Sequence, residues 1–300
     1  MKNYYFSKSK NVLRFWIYSK LPRLRIHTWG GFGSQLFSAY LILRLREILP
    51  GRRLVVVNHS SGVTKRFMEL DFELLNVESI QIDDFKAKVS YSNSPPNQLS
   101  MKLFIYRIVT QTVRFVIERL KLLNDANDEV SLSFIRPWTL SLRGHYTQLL
   151  LEKKHIDTLY QLILEKVHLC ETNQATCAIH YRLGDLMSLD NKSPVQPSRV
   201  ENALEEHGLI HSVPLVLSDS NELEYLAFVS SAKYLNQIRP LNLDAVRTLG
   251  ICVHSSEFLG TTAKLSLWAA IFRQFVFEKP SLLPIELGWA EGSGVHPTWY

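Results

Sequence analysis

Apolar and polar residues alternate through Leu24-Arg25-Ile26-His27-Thr28-Trp29, which predicts a half-buried strand. Gly30-Gly31-Phe32-Gly33-Ser34 interrupts the alternation. From Gln35 the period becomes helical, with Phe37, Leu41, Leu45 and Ile48 on one face and Arg44 and Glu47 away from it. Pro50-Gly51 stops that helix, and Leu54-Val55-Val56-Val57 predicts a buried strand. Strand, glycine loop, helix and strand make a βαβ unit. Asn58-His59-Ser60-Ser61-Gly62 then stands at a second strand end, as a polar wall for a cleft. Residues 91–100, with Pro95-Pro96, predict a loop. Residues 103–123 predict a long helix carrying Arg107, Arg114 and Lys121 near one face. Such a face is by default solvated; a phosphate- or lipid-facing stripe is the alternative.

The second half repeats the theme. Arg143-Gly144-His145-Tyr146-Thr147-Gln148 predicts a polar-aromatic turn before a helix with Ile156, Leu159, Tyr160, Ile163 and Val167 on its apolar face. Residues 176–181 predict a strand, 190–197 a loop with two prolines, 213–217 a strand ending in Ser218-Asp219-Ser220, and 221–230 a helix. Gly250-Ile251-Cys252-Val253 predicts a short strand ending in His254-Ser255-Ser256. Phe258-Leu259-Gly260-Thr261-Thr262 leads into a helix with Leu265, Trp268, Phe272 and Phe275 on one face, ended by Pro280. Trp268 reads as core by its place on that stripe. Residues 281–300 predict no element. The alternation of strands and helices gives an α/β fold, and 300 residues suit two domains, placed here at 1–150 and 151–300.

Composition adds limits. With 46% hydrophobic and 21% charged residues, the chain is not of the disordered class. A net charge of +6 favours anionic partners without choosing among them. Cys170, Cys177 and Cys252 are odd in number and form no CxxC, so they indicate neither a disulfide framework nor a zinc site, and a reducing cytoplasm fits. No apolar run of transmembrane length occurs, and the N-terminus lacks the core of a signal peptide. Seven lysines and arginines and six aromatic residues are interleaved within residues 1–25, before the first acidic residue, Glu47. Such a leader suits an anionic membrane surface, where each cation adds ~1 kcal/mol; a frayed, solvated leader is the alternative.

The chemistry concentrates at strand ends. Residues 176–181 run into His180-Tyr181-Arg182-Leu183-Gly184-Asp185. In open α/β sheets ligands bind outside the carboxyl ends of strands, and a guanidinium there can hold a phosphate through two parallel bonds. An ordinary strand end with Arg182 in an ion pair is the other reading. Glycines ahead of a helix let backbone N–H groups approach an anion, although Gly31, Phe32 and Gly33 do not form GxGxxG and a structural turn explains them as well. Thr261 and Thr262 are natural helix caps whose hydroxyls and neighbouring N–H groups would seat an anion.

Taken together, four blocks resemble the bacterial α-1,2-fucosyltransferases of the fucosyltransferase superfamily. Gly30-Gly31-Phe32-Gly33-Ser34-Gln35-Leu36-Phe37 is similar to GGxGNQxF, and Gly144-His145-Tyr146-Thr147-Gln148 to a Gly-Tyr-x-Gln block. His180-Tyr181-Arg182-Leu183-Gly184-Asp185 is similar to HxRRGD. Ser218-Asp219 and Leu265-Ser266-Leu267-Trp268-Ala269-Ala270 resemble the family's SD(D) and FSWWAA blocks. In this order the blocks cover most of residues 25–275.

The resemblance implies two Rossmann-like domains facing a cleft (GT-B type), with the donor in the second domain and the acceptor on the first. It implies inverting transfer of L-fucose, or a related deoxysugar such as colitose, from a GDP-sugar to a saccharide hydroxyl, with no cofactor and no metal required. An α-1,2 linkage and a lipid-linked O-antigen or capsule acceptor at the inner face of a bacterial membrane follow as expectations. The family's phosphate-stabilising arginine carries to Arg182, and its nucleotide-holding residues to His180 and Asp219. Gly31, Phe32, Gly33, Thr261, Thr262 and Lys264 complete the expected donor site; Gln35, His59 and Tyr146 are the expected acceptor contacts. Asp185 is the carboxylate nearest Arg182 in sequence and the expected base, with Glu69 and Glu257 as alternatives. Three positions depart from the family: Leu183 replaces the second arginine, Ser34 the asparagine, and Ala263-Lys264 a serine pair. Lys264 would then replace lost positive charge. Two other classes compete, an NAD-dependent or nucleotide-sugar-modifying Rossmann enzyme and a non-catalytic sugar- or membrane-binding relative. The chain lacks GxGxxG, which disfavours the first.

Overall fold

The computed structural model describes residues 17–61, 65–84, 122–164, 176–188, 193–211 and 214–300. Among these, two five-stranded, all-parallel sheets make an α/β protein of two parallel-sheet domains, as expected. The first sheet contains β1 (Leu24–Trp29), β2 (Leu54–His59), β3 (Glu78–Ile82), β4 (Leu123–Asp125) and β5 (Ser141–Arg143), in the order β3-β2-β1-β5-β4. The second contains β6 (Cys177–Tyr181), β7 (Leu215–Ser218), β8 (Glu257–Gly260), β9 (Leu282–Leu283) and β10 (Thr298–Trp299), in the order β10-β9-β8-β6-β7. Leu24 pairs with Leu54 in the first sheet and Cys177 with Glu257 in the second.

The helices are α1 (Phe32–Ile48), α2 (Glu129–Ser133), α3 (Lys153–Ile163), α4 (Pro197–Glu206), α5 (Glu222–Phe228), α6 (Ala245–His254) and α7 (Lys264–Phe277). Helix α1 starts at Phe32 rather than Gln35 and is buried nearly all round, because β1 lies on one side and α3 and α7 on the other. Ile48, expected on its apolar face, is instead 38% exposed at the last turn. Helix α3 buries Ile156, Leu159 and Ile163 as its period predicts.

The strand expected at Gly250-Ile251-Cys252-Val253 is the last part of α6. Asp244 caps that helix by accepting the N–H of Arg247 at 2.9 Å. A four-residue apolar run does not by itself distinguish strand from buried helix, and here the cap decides. Residues 281–300, which predict no element, supply β9 and β10 at one edge of the second sheet. Leu123, expected to end a helix, opens β4. The remainder of that expected helix, the loop at 91–100, residues 1–16 of the basic leader, Gly62, Val167 and Cys170 lie outside the described residues. Cys177 and Cys252 are buried free thiols. Among the described residues, no helix is long and apolar enough to cross a membrane.

Helix α7 holds the two halves together. It packs on α1, α3 and α6. The Trp268 ring lies 4.9 Å from Phe37, and its indole N–H donates to the Gly33 carbonyl at 3.0 Å, so a large buried surface keeps its polar atom satisfied. Near the other end of α7, fully buried Arg273 donates to the carbonyls of Cys252, Val253, Ser255, Ser256 and Pro280. Several of these are the orphan carbonyls of the last turn of α6, where a cation also meets the negative end of the helix dipole.

Glu47, at the end of α1, meets Glu152 and His155, at the start of α3, with spacing suited to a metal ion. Lys154 Nζ already lies 2.7 Å from Glu47 and 3.0 Å from Glu152, and Arg44 lies 3.2 Å from Glu152. The cluster is thereby an ion-pair network joining the two helices, and none of its members lines the cavity described next.

Candidate active site

Each sheet reverses its direction of growth once. The chain runs from β1 outward through β2 to β3, then returns to place β5 on the other flank of β1. It runs from β6 to β7, then places β8 on the other flank of β6. Carboxyl ends at such reversals are where open parallel sheets bind ligands. Both reversals face the same cavity of about 930 Å³. Trp29, the last residue of β1, and His145, just beyond β5, form one wall with Arg66 and Glu69. His180 and Arg182, from the end of β6, form the other with Asp219 and the segment 262–265.

The second-domain wall is built backbone first. Thr261 Oγ1 accepts the Arg182 N–H at 2.8 Å and donates to the His180 carbonyl at 3.0 Å. Thr261 is fully buried, and this staple between β6 and β8 corrects its expected role as a helix cap and anion ligand. The residue before α7 is Ala263, with no side-chain cap, while Thr262 does line the cavity. Asp219 Oδ1 accepts the Leu183 N–H at 2.8 Å. A Cβ on Gly184 would stand 2.3 Å from Asp219 Oδ2, so only glycine lets this carboxylate lie against the chain. Leu183 is fully buried in a hydrophobic cluster with Tyr181, Val200 and Tyr225. Leu183 does not line the cavity. The side chain of Asp185 lies outside the described part of the structure.

His180 sits almost fully buried, with Nδ1 2.7 Å from Ser266 Oγ. Burial pushes its pKa down to about 4, the neighbouring Arg182 charge adds to this, and Asp219 opposes it. The imidazole is therefore neutral at pH 7. Because the unfolded chain binds a proton near pH 6.5 and the folded one only near 4, stability falls as pH drops through that window. Urea unfolding between pH 7 and 4 is expected to show this slope and His180→Gln to lessen it; an equal slope in both would assign the effect elsewhere.

The two walls meet at the amino ends of α1 and α7. A Cβ on Gly33 would stand 2.8 Å from the Leu265 nitrogen and 2.9 Å from the Lys264 carbonyl carbon, so the helices touch backbone to backbone. Lys264 Nζ donates to Ser34 Oγ at 3.1 Å and lies 3.4 Å from His145 Nδ1, bridging the domains. Ser34, which replaces the asparagine of the motif, is thus the partner of the cation that replaces its serine. Phe32 is buried. Burial raises the pKa of Glu69, against the Phe32 N–H and the charges of Arg66 and Arg182.

Three expected acceptor residues prove to be supports. Gln35 is fully buried; it accepts the N–H groups of Glu69 and Leu70 and donates to the carbonyls of Gly30 and Phe67. Tyr146 is also fully buried, with its hydroxyl donating to the carbonyls of His27 and Leu142. Neither lines the cavity. His59 stands behind the wall: its ring stacks on Trp29 at 4.6 Å, and its nitrogens engage Asp84 at 2.7 Å and His27 at 2.8 Å. Glu257 opens β8, at the end of the sheet opposite the cavity, where its charge acts on Arg273. Trp29 and Arg66 belong to no expected set. Trp29 carried a readable signal, its place at the carboxyl end of an alternating strand; Arg66 carried none.

No protein-family model matches the chain, and no curated protein matches it in sequence. Among solved structures, it is similar to a Listeria monocytogenes protein named for UDP-N-acetylglucosamine 2-epimerase, with a TM-score of 0.42 and 10% identity over 88% of this chain and 79% of that one. It is also similar to a glycosyl transferase family 9 protein from Veillonella parvula, with a TM-score of 0.39 and 8% identity over 87% and 80%. At these values the likeness is one of general layout and carries no argument about chemistry.

Proposed function

We propose that the protein is an inverting glycosyltransferase that moves L-fucose, or a related deoxysugar, from a GDP-sugar to a saccharide hydroxyl. The observation that carries this reading is Arg182 on the cavity at the strand reversal of the second sheet, with Asp219 beside it and Lys264 at the mouth of α7. When the bond from C1 to the diphosphate breaks, its electrons collect on the β-phosphate. A fixed guanidinium, an ammonium and the N–H groups of a helix terminus meet that charge without reorganising. The motif blocks supply the choice of guanosine and fucose, an α-1,2 linkage and independence of metal. A lipid-linked surface polysaccharide is the acceptor this reading favours, at the cytoplasmic face of a bacterial membrane, with the basic leader as the membrane contact and residues 151–300 as the donor unit.

Calorimetric titration with GDP, UDP, CMP and NAD tests the donor class, followed by turnover of GDP-fucose with oligosaccharide acceptors. Selective GDP binding and acceptor-dependent GDP release are expected. NAD binding without GDP binding would transfer the protein to the dehydrogenase-like class, and GDP binding without any turnover would make it a non-catalytic relative.

A further inference from the structure

The first-domain wall holds a carboxylate that no motif block contains. Glu69 lines the cavity, with Oε1 3.0 Å from where a Cβ on Gly31 would stand and Arg66 Nη1 3.7 Å from the same point. Its own backbone is fixed from behind, because buried Gln35 accepts the Glu69 and Leu70 N–H groups at 2.9 and 2.8 Å and donates to Phe67 O at 2.8 Å. A backbone held in this way sets where the carboxylate enters the cavity before any ligand arrives.

The other carboxylates of the described lining have different duties. Asp219 is pressed against Gly184 and takes the Leu183 N–H. Glu286 accepts two parallel hydrogen bonds from the Arg199 guanidinium, at 2.5 and 3.1 Å. Glu69 alone among these stands on the wall opposite the proposed donor, within electrostatic reach of Arg182 across the cavity.

We propose that Glu69 is the general base that deprotonates the acceptor hydroxyl. The inference rests on the proposed glycosyl transfer. In the step, the acceptor oxygen bonds to C1 of the sugar, its proton passes to a Glu69 carboxylate oxygen, and the C1–O bond to the diphosphate breaks with its electron pair leaving on GDP. Base and leaving group lie on opposite walls, as inversion requires. A carboxylate has about four acceptor sites, so it has capacity to take the hydroxyl as a proton donor. Partial burial, which raises the affinity of Glu69 for a proton, moves it toward the working range of a base.

The test compares wild type, Glu69→Gln and Glu69→Asp for transfer rate against pH and, separately, for GDP affinity by calorimetry. Loss of a general base costs about 10²–10⁴-fold. Glu69→Gln is expected to lose kcat by that factor, to lose the acidic limb of the pH profile, and to keep GDP affinity within about threefold. Glu69→Asp is expected to keep that limb at a reduced rate. A Gln variant with near-normal kcat and an intact acidic limb overturns the assignment. So does a loss of kcat in both variants matched by a loss of GDP affinity, which would mean a structural role. If the wild type transfers nothing from any GDP-sugar, the parent reading fails and this one falls with it, and the wild-type control shows which has failed.

Discussion

Arg182→Ala is expected to lower kcat for glycosyl transfer at least a hundredfold while the melting temperature stays within a few degrees. The size follows from the task. A fixed donor aimed at developing charge is worth about 3 kcal/mol, or roughly 10²–10³ in rate. The stability follows from the anchoring. The backbone N–H of Arg182 is held by Thr261 Oγ1, just beyond β8, so truncation of the side chain leaves that staple intact. Arg182→Lys keeps a charge but loses the planar fork, and is expected to recover only part of the rate. Single-turnover kinetics at saturating GDP-sugar, with thermal unfolding in parallel, check both statements. A folded alanine variant within tenfold of wild type would remove the guanidinium from the centre of the reaction.

Features set by short-range rules were legible in the sequence. The two-residue period of Leu24–Trp29 and the apolar run at Cys177–Tyr181 mark their strands, and polar residues beyond each mark the cavity. What escaped depended on partners far along the chain. Gln35 sits in a motif, yet its side chain folds residues 67–70 into place; no local pattern distinguishes that duty from ligand contact. Gly33 reads as a helix-start glycine, and its reason, backbone contact with Lys264 and Leu265, lies more than two hundred residues away. Thr261 has the look of a cap but is spent on joining two strands. Gly250-Ile251-Cys252-Val253 satisfies strand preferences as well as helix ones, and the Asp244 cap settles the matter. Leu183 departs from a motif, and its place in a hydrophobic cluster shows only once the fold is seen.

Arg273 carries the largest expected effect on stability. Its substitution by methionine keeps most of the volume and removes the guanidinium, leaving the carbonyls of Cys252, Val253, Ser255, Ser256 and Pro280 without that donor in the interior. Burial lowers the Arg273 pKa to about 10, so the group is still charged at neutral pH and those five acceptors offset part of its desolvation. Breaking such an arrangement from one side costs about 3–5 kcal/mol, because the partners stay buried and unpaired. Urea unfolding followed by circular dichroism is expected to show a loss of that order, with a fall in melting temperature of roughly 5–15 °C. Arg273→Lys restores charge but cannot reach carbonyls on three sides at once, and is expected to fall between the two. A methionine variant within 1 kcal/mol of wild type would mean that the last turn of α6 finds other donors. Activity should follow stability here and not chemistry: α7 carries Lys264 and Trp268 at the cavity end and Arg273 at the far end, so the variant is expected to regain its transfer rate on cooling, which Arg182→Ala is not.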